Sequence, residues 1–354
     1  MKTFARIIFF VIVFFILGIY FNIDRNTGQD EVLDGSKEAN PGGQTNLEKS
    51  KAPALENGLI KPTSGLALTI GKNQDEVLKI FGEPDRIDLS AYGYDWWIYN
   101  KKQDTYFQLA MDKGKVISAY GLGDLTDVSP FYIGQPIDEI YSSLFFETSV
   151  DIDTDSGSYR FELSEEDMNI RPLIMIGDIY IQLYLDKFTG TVSSVRYLNA
   201  ETLIKQRPYE ITYRGELVSE SEFSEEDWLK VENGSERQIF DFTNIIRGRF
   251  GLDPLSWDEP TSEVAFLHSS DMYQAEYFSH TSPTAGELAE RLKTGKVMYT
   301  IAGENIAAKY VDAIEAMEGW LNSKGHRDTM LNKEFTHLGV GVYQKYYTQN
   351  FIRK

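Results

Sequence analysis

One phrase occurs twice in the middle of this chain, and a duplicated phrase restricts the possible folds more than any overall composition does. Leu68-Thr-Ile70-Gly71-Lys-Asn-Gln-Asp75-Glu76-Val77-Leu78-Lys-Ile80-Phe81 matches Phe131-Tyr-Ile133-Gly134-Gln-Pro-Ile-Asp138-Glu139-Ile140-Tyr-Ser-Ser-Leu144-Phe145, 63 residues further on. Each copy closes alike, Asp112-Lys-Gly114-Lys-Val116-Ile-Ser118 against Asp186-Lys-Phe-Thr-Gly190-Thr-Val192-Ser-Ser194. In both, Gly makes a turn and Asp-Glu falls in the first turn of a short helix, where the helix dipole favours acids. Val77, Ile80 and Phe81, like Ile140, Leu144 and Phe145, give that helix one apolar face. Tyr94 to Tyr99 and Thr105 to Leu109 read as strands, with Asp112-Lys-Gly114-Lys as a hairpin turn. Residues 63–205 are therefore expected to be a duplicated module, copies 66–125 and 131–203, each a helix with a small antiparallel sheet. Neither copy holds a histidine. Tyr92, Tyr94, Trp96 and Trp97 are expected to be half-buried strand residues, with a recognition surface as the alternative.

The rest of the chain divides around this module. Lys2 and Arg6 precede an apolar run from Ile7 to Phe21, and no small-x-small cleavage site follows it. Positive residues on the leading flank keep that end inside, so residues 1–23 are expected to anchor the chain as a single-pass membrane helix. The alternative is secretion after signal cleavage. Either way the remainder is exported. Residues 24–62 are polar and poor in aromatics, the composition of a flexible linker. Residues 206–235 carry Glu220, Glu222, Glu225, Glu226 and Asp227 and read as a partly ordered acidic connector.

Charge and cysteine usage exclude whole classes of function. The net charge of −19 opposes binding to nucleic acid, which needs a Lys/Arg surplus. The absence of cysteine removes disulfides, thiolate metal sites and cysteine nucleophiles together.

All 4 histidines, His268, His280, His326 and His337, fall in residues 236–354. Helical spacing marks Arg237 to Phe250, Glu259 to Tyr277 and Val311 to Asn322, and two strands close the chain at Leu338 to Tyr343 and Tyr346 to Phe351. Four phrases stand in order: Ala265-Phe-Leu-His268-Ser-Ser-Asp271-Met272, Tyr277-Phe278-Ser279-His280, Gly303-Glu304-Asn305-Ile306-Ala307 and Trp320-Leu-Asn-Ser323-Lys-Gly325-His326-Arg327. In this order and spacing they resemble the bacterial branch of the CAP superfamily, the SCP-like extracellular domains. The module before them resembles the CAP-associated N-terminal domain of Gram-positive bacteria. The resemblance implies an α+β chain: a C-terminal α/β/α sandwich, preceded by the duplicated helix-plus-sheet module. It also implies a surface cleft lined by two His and one or two Glu. His280 matches the first cleft histidine, Glu304 the glutamate and His326 the second histidine. A second glutamate after the tryptophan is absent here, where Leu321-Asn322-Ser323 follows Trp320.

Two imidazoles and a carboxylate suit an open site for zinc or another divalent cation. The same trio also suits a hydrogen-bonded cluster tying three segments together. Hydrolysis with Glu304 as general base and the histidines on metal is the third reading, but no His-Glu-x-x-His spacing supports it. Asn305 is expected to fix the loop around Glu304 and Arg327 to pair with Asp271, Glu334 or the C-terminus. His268 is expected to be a satisfied core histidine and His337 a strand-edge residue. The preferred function is binding of a cell-envelope ligand (peptide, glycan, lipid or protein) through the cleft, ahead of a metal-dependent hydrolase or a structural role in envelope assembly.

Overall fold

The computed structural model describes residues 33–34, 62–217 and 222–354. The expected anchor, and the linker apart from Leu33–Asp34 and Pro62, lie outside these residues; among the described residues no helix is long and apolar enough to cross a membrane.

The duplication is visible in the backbone itself. Copy one runs through α1 (Gln74–Phe81), β2 (Arg86–Leu89), β3 (Asp95–Tyr99), β4 (Phe107–Asp112) and β5 (Lys115–Gly121). It follows the short strand β1 (Leu33–Asp34). Copy two runs through α2 (Ile137–Ser143), the hairpin β6 (Ser149–Thr154) and β7 (Gly157–Glu162), and α3 (Glu165–Ile170). It then adds β8 (Leu173–Ile176), β9 (Ile179–Asp186) and β10 (Thr191–Leu198). Gly71 N–H donates to Val116 O at 2.8 Å, and Gly134 N–H donates to Val192 O at 2.9 Å. Both glycines sit at positive φ, 82° and 83°, a conformation that a side chain resists. Val116 and Val192 return the bond to Lys72 O and Gln135 O, each at 2.9 Å. Even the irregularity repeats: one extra residue bulges from β5 at Ile117 and from β10 at Ser193.

The two copies join where β5 pairs antiparallel with β10, giving a seven-stranded sheet in the order β2-β3-β4-β5-β10-β9-β8. One face carries α1 and α2 over Val77, Leu109, Ile140, Leu183 and Val195. The hairpin of copy two leaves this sheet and pairs with β11 (Glu210–Gly215), over a satellite core with Phe161, Leu203 from α4 (Ala200–Gln206) and Tyr209.

The expected acidic connector forms regular elements on either side of residues 218–221, which lie outside the described residues. Part of it is β11, and its second acidic cluster opens α5 (Glu225–Arg249), where the Ser224 hydroxyl caps Asp227 N–H. Glu225, Glu226 and Asp227 sit in the first turn and Arg247 and Arg249 in the last, each at the dipole end that favours it.

The C-terminal part is layered. The sheet β1-β13-β15-β14-β12 uses β12 (Ser256–Trp257), β13 (Ile301–Ala308), β14 (His337–Tyr343) and β15 (Tyr346–Arg353). Against one face lies α6 (Glu259–Gln274), so close that a Cβ on Gly341 would stand 1.8 Å from Phe266 N. α5 lies on the other face with α8 (Ala313–Leu321) and α9 (Lys324–Met330), around Phe242, Trp320 and Phe351. The helix expected over Val311 to Asn322 is α8, capped at Asn322, and a further helix that the spacing does not mark, α9, starts at Lys324.

The free face of the seven-stranded sheet packs directly on α5 and α8. Tyr92, Tyr94, Trp96 and Tyr120 from the module share one apolar core with Ile239, Phe242, Ile314 and Met317. Trp96 is 2% exposed and Trp97 6%. They are more buried than the half-buried strand residues expected, because both sheet faces are covered, and they form no recognition surface.

Candidate functional site

Strand alternation divides the Gly-Glu-Asn phrase between the two faces of the sheet. Glu304 and Asn305 lie on β13 itself, not on a loop, opposite Asn350 and Gln349 of β15. Glu304 faces α6. Asn305 points the other way and donates to His326 O and to Gln349 Oε1, both at 3.1 Å. The Asn305 side chain thus ties the strand to the segment bearing His326.

Glu304 is the centre of the site and is nearly inaccessible, at 7% exposure. A buried carboxylate needs compensation. Arg291 supplies it from α7 (Leu288–Thr294), donating to Oε2 at 2.9 Å and to Oε1 at 3.0 Å. The same guanidinium reaches His280 O at 2.8 Å. His280 Nδ1 lies 2.9 Å from Glu304 Oε1. A carboxylate held by Arg accepts only, so Nδ1 carries the hydrogen, and it is the neutral form of the ring that presents a lone pair at Nε2. Burial alone would push the Glu304 carboxyl up, but the His280 bond and the Arg291 charge outweigh it and hold it below its ordinary value.

His326 stands at the start of α9, buried, with Nδ1 2.8 Å from the Ser323 hydroxyl. Burial, and then the nearby His280, push it down to about 4, so it is neutral at pH 7. Among the described residues, the Nε2 atoms of His280 and His326 are both buried without a hydrogen-bond partner.

His268 does face inward, as expected of a core histidine, but it also belongs to this constellation. Its Nε2 lies 3.1 Å from Ser279 O and 4.0 Å from Glu304 Oε1. Burial is the main reason it too is pushed down to about 4. One turn along α6, Asp271 accepts from Tyr277 at 2.5 Å, Ser282 at 2.6 Å and Thr284 at 3.3 Å, and so holds the loop that bears His280. His337 begins β14 beside the Thr336 hydroxyl, away from the cluster.

Arg327 pairs with none of the three partners expected of it. Its guanidinium forms two parallel bonds to Asp186 in the repeated module, at 3.0 and 2.9 Å. Sequence reasoning also missed Arg291 and His268 as site residues. Arg291 sits in a short amphipathic stretch with no motif around it, and only the need to balance a buried Glu304 points to a cation.

Glu304 orients His280 and has both oxygens engaged. Among the described residues, no group of three or more His, Cys, Asp or Glu stands ready to hold a metal ion. Among the described residues the site leaves the Nε2 atoms of His280 and His326, His268 Nδ1 and Arg291 Nε buried without a hydrogen-bond partner. The module's polar contacts fall on α5, on α8 with its cap, on Lys345 and on Asn322 and Arg327 beside His326; among the described residues, no hydrogen bond joins it to His280, Glu304 or His326 themselves.

Residues 70–209 match the family described as CAP-associated N-terminal, and residues 240–352 match the cysteine-rich secretory protein family. The chain is 51% identical over 293 residues to "Uncharacterized membrane protein YlbC" of Bacillus subtilis, covering 83% of this chain and 85% of that one. It resembles a crystal structure of an extracellular SCP-domain protein from Bacillus anthracis, with 43% identity, TM-score 0.80, and coverage of 87% of this chain and 100% of that one. A cysteine-rich secretory protein from Staphylococcus aureus follows, at 28% identity and TM-score 0.74 over 83% of this chain and 97% of that one. The chain therefore belongs to the cysteine-rich secretory protein (CAP) family, with a CAP-associated N-terminal domain ahead of its CAP domain.

Proposed function

We propose that this is a membrane-tethered, extracytoplasmic binding protein that seats a cell-envelope ligand between His280 and His326. One observation carries the reading: a buried imidazole, His326, and a half-buried one, His280, have their Nδ1 atoms held by the protein and their buried Nε2 atoms left over. Orphaned buried polar atoms are costly, about 1–3 kcal/mol each, unless something else satisfies them. A ligand presenting hydrogen-bond donors does so, and so does a divalent cation that takes its remaining ligands from water or from the bound molecule. Glu304 then acts by holding His280 in one tautomer. Its saturated carboxylate favours binding over general-base hydrolysis. The tether rests on Lys2, Arg6 and the apolar run behind them, and accords with a relative named as a membrane protein.

The test is co-sedimentation of the full chain with purified cell-wall sacculi, with and without Zn²⁺, beside a titration of Zn²⁺ alone. The expected result is binding that the His280→Ala, His326→Ala double variant weakens at least about tenfold, roughly 1.4 kcal/mol. Equal binding by the folded double variant, or no binding of either probe by the wild type, sinks the proposal.

A further inference from the structure

The link between the module and the CAP domain runs through a point close to the cleft. β9 ends at Asp186 and β10 begins at Thr191, with Lys187-Phe188-Thr189-Gly190 between them. Asp186 is 4% exposed; its carboxylate accepts from Phe188 N–H and Thr189 N–H within its own turn and from both arms of the Arg327 guanidinium. Arg327 is stacked between the rings of Phe188 and Phe250, each at 4.9 Å from the guanidinium carbon. Next to this pair, Asn322 is gripped from both sides. Its Oδ1 accepts from Lys187 N–H at 2.9 Å, and its Nδ2 donates to Leu185 O at 2.9 Å.

These grips bracket the break between α8 and α9. Asn322 lies just before it and Arg327 just after. Between them sit Ser323 and His326, the pair joined through Nδ1. Arg327 adds a bond to Leu321 O across the break. A rigid-body rotation of the α8–α9 joint that carries His326 with it must move a residue that the turn holds.

We propose that the second repeat is a positioning element of the cleft: its β9–β10 turn fixes the α8–α9 joint and, through Ser323, the ring of His326. The proposal rests on the reading of His326 as a cleft residue. A displacement of this turn is felt at His326. By reciprocity, whatever seats on His326 stabilises the turn, so events on the module and in the cleft are linked. Copy one has no such device. Its turn between β4 and β5 is only Lys113-Gly114, and Asp112 occupies the place of Asp186.

The experiment uses the full chain in detergent, with no ligand. Hydrogen exchange is followed over the Ser323–Met330 amides, together with the ring resonances of the 4 histidines. Asp186→Asn should speed exchange across that segment by about tenfold and displace the His326 signal, while Asp112→Asn changes neither. Phe188→Ala, at a 45% exposed ring that leaves no charge unpaired, should act in the same direction more weakly and covers the case in which the Asp186 variant does not fold. Unchanged exchange and an unmoved His326 signal in folded Asp186→Asn, or in Phe188→Ala if the former does not fold, overturn the proposal. So does an equal response to Asp112→Asn. None of these readouts needs a ligand. A chain that binds neither sacculi nor Zn²⁺ but responds as described would overturn the proposed function and leave the clamp standing.

Discussion

Copies one and two of the repeat share a helix, a glycine turn, a closing strand pair and a bulge, yet they meet the CAP domain in different ways. At the bulge, copy one presents Ile117, whose side chain packs against the shared apolar core and whose carbonyl is taken by Asn199 within the module. Copy two presents Ser193 at the same place. Its hydroxyl donates to Glu318 on α8, and its carbonyl accepts from Arg249 on α5. Two residues beyond Ser118 stands Tyr120, within 3.4 Å of Glu318; two beyond Ser194 stands Arg196, paired with Asp312 at 2.8 Å. Both halves of the joint are polar as well as apolar, but they grip different elements: copy two holds mainly α8 and the α8–α9 joint, whereas copy one holds mainly α5 through Arg86–Asp241, Asp88–Gln238 and Asp124–Arg249.

The strongest way to break this contrast is to delete the paired acids one at a time. Asp186→Ala strands a buried arginine and should cost about 3–5 kcal/mol in denaturant unfolding, whereas Asp112→Ala at the equivalent surface turn should stay within about 0.5 kcal/mol. Equal losses would show that the two turns do the same work. A second contrast is in pH. Burial raises the Glu318 carboxyl to about 7, although the Ser194 hydroxyl and the Arg249 charge pull it back. Its ordinary value is 4.5, so the stability linked to its proton is complete below pH 4.5 and is lost as pH rises through about 7. Glu236, raised to about 7 by burial, acts in the same sense. Wild type should therefore lose about 1–3 kcal/mol through Glu318 between pH 5 and 8, and Glu318→Gln should flatten that slope without removing it. A slope unchanged in the Gln variant would refute the assignment. The smallest effect sharpens the likeness of the copies. Ile140→Val, which imports the residue of position 77, should cost only about 0.5–1.5 kcal/mol by calorimetry.

Much of this architecture could be read from particular residues. The matched Gly71 and Gly134 announced the two turns, and the four phrases from Ala265 to Arg327 announced the sandwich. Local signals reached the helix starts because they depend on neighbours in sequence, but not every face or end. Ile80 and Phe145, expected on the apolar helix faces, are 55% and 73% exposed while Leu78 and Phe146 pack on the core, and β4 runs from Phe107 to Asp112 rather than from Thr105 to Leu109. The acids at 225–227 read as a solvated run, and they do face solvent, but they also open a helix that Ser224 caps, a local signal that the charge reading passes over. Local signals failed where tertiary contact decides. Arg327 looked equally suited to any nearby acid, and its partner lies 141 residues away. The site itself was half legible. His280, Glu304 and His326 were identified by their phrases, but Arg291, which decides the charge state and availability of Glu304, carries no pattern.

Gly339 and Gly341 let α6 rest on bare strand backbone, with Ser262 and Ser269 bonding the carbonyls of Val340 and Gly341. Helix and sheet are consequently one plate: with no side chain between them there is nothing to slide or compress. That plate carries His268, Asp271 and Glu304, so the spacing between these side chains is a fixed dimension. The loop from Tyr277 to Gly286 hangs from this plate by three hydroxyl bonds to Asp271, so the height of His280 above the sheet is set by how α6 is seated.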